Sequence, residues 1–200
     1  MDGSERRLST PVLVIGTGGS GLRTAIELAE RGVGVLAVGK RPKADAHTTL
    51  AAGSINSVLA TMDPQDSWQQ HAADTLLESY LLADPRTVRI VTEGAARGID
   101  DLVRYGMPFA RDADGRISLR FFGAHTYRRT AFSGDYTGLE IQRALVRRAA
   151  ELDVPILDTA YITRLLVRDN VSVPYGAGER LRDGTRSGPH RIQRLSRESA

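Results

Sequence analysis

Gly16-Thr17-Gly18-Gly19-Ser20-Gly21 is a Gly-x-Gly-x-x-Gly run, and its chemistry belongs to the backbone. The first glycine makes a tight turn, the second lets a pyrophosphate approach the main chain, and the third lets a helix pack closely on a strand. At a helix start such a run presents N–H groups and the positive end of the helix dipole to phosphate oxygens. Gly16, Gly18, Gly19, Ser20 and Gly21 are therefore candidates for dinucleotide binding. A ribose-binding acid is expected about 20 residues further on, where the chain instead reads Val38-Gly39-Lys40-Arg41. Two adjacent cations suit the 2′-phosphate of NADP, so on residue chemistry alone an NADP-dependent Rossmann reductase is one reading, and a solvated basic loop is another.

The remaining titratable residues form no recognisable reaction centre. His71 falls on a polar position of an expected helix and His190 lies near the carboxy terminus, neither with metal-ligand company. His125 reads as a hydrogen-bonded structural histidine, and Arg129 and Asp135 as residues that order a turn. The chain contains no His-Glu-x-x-His pair, no Walker loop and no nucleophile elbow.

The elements around the glycine run fit its chemistry. Val12, Val14 and Ile15 make residues 11–15 a buried parallel strand. Leu22, Ile26 and Ala29 recur at helical spacing over 22–31 before Gly32, and 33–38 reads as a second strand. This is a βαβ unit. Residues 39–65 show no period and read as a long loop of the kind that carries function. Trp68, Ala72, Leu76 and Tyr80 predict one helical face, and Pro85 starts a second helix running to Tyr105. Asp114-Gly115 predicts a hairpin turn. Ile141, Leu145, Ala149 and Leu152 make 138–152 helical, and strand character returns at 154–157 and 161–167.

At 200 residues, 41% hydrophobic and 26% charged, the chain suits one globular domain. The absence of cysteine excludes disulfides and thiolate metal sites and fits a reducing compartment, so a cytoplasmic location is expected. Residues 1–10 are polar, without the apolar core of a secretory signal, and read as disordered; no run approaches the roughly 20 apolar residues that span a bilayer. The net charge of +3 resides in 179–200, where Arg180, Arg182, Arg186, Arg191, Arg194 and Arg197 face Glu179, Asp183 and Glu198. No nucleic-acid partner is expected of the domain. Residues 171–200 read as a basic, disordered tail. Its abrupt change of character is what a frameshifted or truncated reading of a GC-rich gene would produce.

Gly39-Lys40 followed by Ala46-His47-Thr48-Thr49-Leu50-Ala51-Ala52-Gly53-Ser54-Ile55-Asn56 resembles the flavin loop of the succinate dehydrogenase and fumarate reductase flavoprotein family, to which the L-aspartate oxidases are closely related. Tyr105-Gly106-Met107-Pro108-Phe109, Arg120-Phe121-Phe122-Gly123-Ala124-His125, and Arg129 through Asp135-Tyr136-Thr137-Gly138 extend the resemblance in the family's order, from about residue 10 to about 168. In that family the second strand commonly ends in a small residue and lysine, so Gly39 and Lys40 fit FAD without an acid.

The resemblance implies an α/β, Rossmann-like FAD-binding domain, incomplete, with a βαβ start, inserted helices and a hairpin, over residues 11–170. It implies FAD contacts from Thr48, Thr49, Ala52, Gly53 and Ser54. It places His47 where such dehydrogenases and reductases attach the flavin 8α carbon to an imidazole; L-aspartate oxidases lack that histidine. The chain departs from the family at Asp45-Ala46, where Arg-Ser is usual, and at Ser54, where a second glycine is preferred. A full-length relative would transfer hydride between a dicarboxylate and FAD and pass electrons to an iron-sulfur subunit, sometimes peripheral on the membrane. The family's substrate and proton-transfer residues lie beyond this length, so the expectation for this chain is FAD binding, with no catalytic acid or base and turnover left open.

Overall fold

In the computed structural model, which describes residues 8–165 and 196–197, the elements follow in the order β1 (Val12–Ile15), α1 (Gly19–Glu30), β2 (Val35–Val38), a 3-10 turn (His47–Leu50), β3 (Ile55–Asn56), α2 (Trp68–Glu78), α3 (Pro85–Arg104), β4 (Leu119–Arg120), β5 (Thr130–Ala131), α4 (Thr137–Glu151), β6 (Ile156–Leu157), β7 (Ala160–Tyr161) and β8 (Ser196–Arg197). They divide into two units, residues 47–147 forming one and the flanking residues the other.

The flanking unit is built on a parallel sheet of order β1-β2-β6, with Val12 opposite Val35 and Ala37 opposite Ile156. Parallel strands need a crossover, and α1 supplies it. Leu22, Ala25 and Ile26 bury one stripe of α1, while Val14, Val35, Ala37 and Val38 are the buried strand residues. Gly32, at φ +70°, ends the helix with its N–H donated to the Ala29 carbonyl at 2.9 Å. Arg148 Nη2 meets Glu30 Oε1 at 2.9 Å and ties the last turn of α4 to the end of α1. β7 pairs antiparallel with β8.

The unit of residues 47–147 carries a small antiparallel sheet of order β3-β5-β4, in which Asn56, Thr130 and Arg120 stand in one cross-strand row. α2 and α3 pack against each other. Ser67 caps α2 by accepting from Gln70 N at 3.2 Å, and Asp84 caps α3 by accepting from Thr87 N at 2.9 Å, with Pro85 following it. α3 closes in a Schellman arrangement. Gly106, at φ +80°, donates its N–H to the Val103 carbonyl, and Met107 N donates to the Leu102 carbonyl, both at 2.9 Å. The predicted hairpin turn is present: Arg111 bridges Ile117, Gly115 has φ +78°, and Asp112 Oδ1 accepts from Asp114 N and Arg116 N.

Three sequence expectations need correction. Residues 39–65 are not without structure, because they contain the 3-10 turn and β3. Tyr80 does not continue the α2 face: the helix ends at Glu78, and Tyr80 is 87% exposed at φ 52°. His71 is polar yet only 5% exposed, because its ring packs against that of His125. The expected tail over 171–200 and the upper part of the strand over 161–167 lie outside the described residues, apart from β8. No helix among the described residues is long and apolar enough to cross a membrane.

Candidate functional site

The glycine run sits where the sequence places it, between the end of β1 and the start of α1. Gly16 has φ +112°, a conformation that L side chains rarely adopt, and donates its N–H to the Val38 carbonyl at 2.8 Å. A β-carbon on Gly21 would stand 1.9 Å from the Gly16 carbonyl oxygen, so turn and helix can approach this closely only with glycine there. Gly18 occupies the N-cap of α1 without a side-chain cap, followed by Gly19 and exposed Ser20. Gly39 is buried: a β-carbon there would lie 2.2 Å from Thr17 Oγ1. Its carbonyl accepts from Ala160 N at 2.9 Å. Lys40 is exposed, with its ammonium 4.9 Å from the centroid of the Tyr161 ring. Arg41 has its own acidic neighbour in Asp45, at 3.8 Å.

Residues 47–54 form a second cradle. His47, exposed, opens the 3-10 turn, in which Thr48 and Thr49 are half-buried. The turn leads through exposed Ala52 to Gly53 and Ser54, which precede β3. Two distant segments shape this stretch. From the start of α4, Gly138 donates its N–H to the Ala51 carbonyl at 2.8 Å, and a β-carbon on it would stand 2.0 Å from the Thr48 carbonyl. From β4, Arg120 Nη2 donates to Gly53 O at 3.2 Å and to Ser54 Oγ at 3.1 Å. Phe122 Cζ would lie 4.0 Å from a β-carbon built on Gly53.

Behind β3 and β5 lies a buried charged cluster. Arg129, 0% exposed, grips Asp66 with two bonds, Nη2 to Oδ1 at 2.7 Å and Nε to Oδ2 at 3.0 Å, and donates Nη1 to Asp74 Oδ2 at 2.7 Å. Asp74 also accepts from Gln70, Thr126 N and Thr126 Oγ1. His125 Nδ1 is 3.2 Å from Arg129 Nη1, and its Nε2 is 2.6 Å from the side-chain amide of Asn56, which in turn bonds the Thr130 hydroxyl at 2.6 Å. The guanidinium and the Asn56 amide nitrogen Nδ2 can both only donate, so each ring nitrogen of His125 faces a donor. His71 meets the His125 ring edge-on at 5.5 Å between centroids.

Residues 11–191 match the family of FAD binding domains. The chain belongs to that family. It is 40% identical over 159 residues to one subunit of the fumarate reductase (CoM/CoB) of Methanothermobacter marburgensis, covering 79% of this chain and 29% of that protein. It is 32% identical over 165 residues to a mitochondrial succinate dehydrogenase [ubiquinone] flavoprotein subunit of Xenopus laevis, covering 78% of this chain and 25% of that protein. The Mycobacterium smegmatis Sdh1 complex in the apo form contains a chain that superposes with a TM-score of 0.79 at 37% identity, over 80% of this chain and 29% of that one. This FAD binding domain is thus the FAD-binding region of a succinate dehydrogenase or fumarate reductase type flavoprotein, with the Rossmann-like α/β fold its sequence implies. The chain spans less than a third of the length of these relatives.

In this FAD binding domain the charged cluster has no signature in the local sequence. His71 looks like an ordinary polar helix position, and Arg129 does more than order a turn: it neutralises two buried carboxylates. The cluster also sets the domain's response to acid. Burial, followed by the charges of Arg129 and His125, lowers the His71 pKa from 6.5 to about 4. Burial and Arg129 lower that of His125 as well. For Asp74, burial opposes ionisation, but hydrogen bonds from Thr126, Gln70 and Arg129 outweigh it and bring the pKa to about 2. The unfolded chain binds more protons than the folded one wherever pH lies between the folded and unfolded values. Stability is therefore expected to be full above pH 6.5 and to fall by roughly 3 kcal/mol as His71 is forced to titrate on the way down to pH 4, at 1.36 kcal/mol per unit. Asp74 adds a further loss between 3.8 and about 2. Urea midpoints at pH 7.5 and 4.5 test this, with His71→Gln flattening the upper part of the profile; equal midpoints in the wild type would refute it.

Proposed function

We propose that this chain binds FAD through Gly16, Gly18, Gly19, Ser20 and Gly21 at the pyrophosphate, Gly39 and Lys40 at the end of β2, and His47, Thr48, Thr49, Ala52, Gly53 and Ser54 at the flavin ring. The observation that carries the reading is the close fit of Gly21 to the Gly16 carbonyl, which holds the turn at the helix start in the form that receives a pyrophosphate. Gly138 and Arg120 support the ring half by shaping residues 48–54 from outside. An NADP-dependent reductase finds no comparable support, since Lys40 lies against Tyr161 and the matching family binds FAD.

Bound flavin would supply hydride acceptance and donation at N5, and the protein's part is to hold the ring and tune its potential. In a full-length relative the substrate would be a dicarboxylate such as succinate or fumarate, and electrons would pass to an iron-sulfur subunit. This chain contributes the binding residues. Covalent attachment through His47 is the finer reading, supported by the exposed position of its imidazole at the first residue of the turn. A flavin spectrum recorded on the purified chain after adding FAD and removing the free dye tests the first claim, and denaturation tests the second. Yellow colour is expected to stay with the polypeptide through denaturation and to be washed out in His47→Ala. A folded but colourless protein would end the FAD reading; colour released on denaturation of the wild type would end the covalent one.

A further inference from the structure

We infer that Arg120 is a positioning residue for the flavin loop: it clamps Gly53 and Ser54 and sets a fixed cation beside whatever that loop holds. The inference rests on the reading of residues 47–54 as the flavin-ring loop.

Arg120 stands on β4 in one cross-strand row with Thr130 and Asn56, and from this row its side chain reaches across the sheet to the chain just ahead of β3. One nitrogen, Nη2, serves two acceptors, the Gly53 carbonyl and the Ser54 hydroxyl. The guanidinium carbon lies 4.4 Å from the centroid of the Phe132 ring, a cation-π contact that holds the plane of the fork. Nε is buried with no hydrogen-bond partner among the described residues. A buried donor without an acceptor is a cost that an apolar side chain would not incur. The guanidinium thus meets the loop acceptors and the ring while one of its own donors goes without a partner among the described residues. Lysine could carry the charge but has no planar group to lie on Phe132 while serving two acceptors.

Two consequences separate this role from simple packing. Without the clamp the amides of residues 53–55 open more readily, with or without cofactor. Without the cation, electrons arriving on a ring held by the loop meet less stabilising charge, so the midpoint potential of bound FAD falls. The test uses the full chain with R120M, R120K and S54A. R120M is expected to raise amide exchange at residues 53–55 by tenfold or more, to weaken FAD binding by tenfold or more, and to shift the midpoint potential to more negative values. R120K is expected to recover the potential in part while leaving exchange fast, because charge and clamp are separate contributions. S54A, which removes one acceptor, is expected to raise exchange less than R120M. Wild-type exchange in R120M, or an unchanged potential alongside tight FAD binding, overturns the inference. If R120M does not fold, R120K carries the exchange test, and slow exchange there overturns the clamp. If the wild-type chain takes up no FAD, the reading of the loop fails, and exchange in the cofactor-free protein decides the clamp separately.

Discussion

Arg129→Ala is expected to destabilise the fold by about 3–5 kcal/mol, the range found when one partner of a buried ion pair is removed. The loss is large because Arg129 serves two carboxylates, Asp66 and Asp74, that are nearly as buried as itself. Truncation leaves both without their counter-charge in a place that water does not reach. Against a total stability of about 5–15 kcal/mol for a domain of ordinary size, such a loss leaves little or nothing. Arg129→Lys is expected to fall between the two, since an ammonium restores charge but cannot reproduce two parallel bonds to Asp66 together with one to Asp74. Urea denaturation followed by circular dichroism measures the effect. A midpoint for Arg129→Ala close to that of the wild type would mean that the cluster contributes nothing net.

Gly21→Ala is expected to have the largest effect on FAD, a loss of affinity of at least about a hundredfold, or roughly 2.8 kcal/mol. The added β-carbon would stand 1.9 Å from the Gly16 carbonyl oxygen, an approach that no flexible side chain can relieve because the obstacle is backbone. Helix and turn must then separate, and the main chain proposed to face the pyrophosphate moves with them. The sheet itself, held by β1-β2-β6 pairing and the buried stripe of α1, is expected to persist, so the circular dichroism spectrum should change little. Titration of FAD against tryptophan and flavin fluorescence compares the two proteins, and wild-type affinity in Gly21→Ala would show that the glycine run is not where the phosphates lie.

Much of this was legible in the sequence because it is written locally. The glycine run, the apolar stripe of Leu22 and Ile26, Pro85 at a helix start and the Asp114-Gly115 turn each announce an element through residues within a few positions of one another. The flavin loop, His47 included, rests on the resemblance and is proposed on that ground. The residues that hold these parts in place were less legible. Asp74 meets Arg129 across 55 residues and Arg120 meets Gly53 across 67, and no local pattern marks either pair. A polar position on a helix looks the same whether it faces water or a buried guanidinium, and so His71 reads only as a polar helix position. Tyr80 fails for the opposite reason: its spacing fits the face of α2, but the helix stops two residues earlier and the side chain points to solvent.

The contact between Gly138 and the carbonyls of residues 48 and 51 bears on how relatives can be recombined. Loop and helix start form one heritable unit although most of the second unit's sequence separates them. A chimera with a crossover between residues 56 and 120 would take the loop from one parent and the glycine and arginine that mould it from another. Such hybrids should work only where the parent that supplies the helix start carries glycine there, and a loop transplanted alone into a foreign scaffold should lose its shape. In this protein the transferable module is a pair of distant segments.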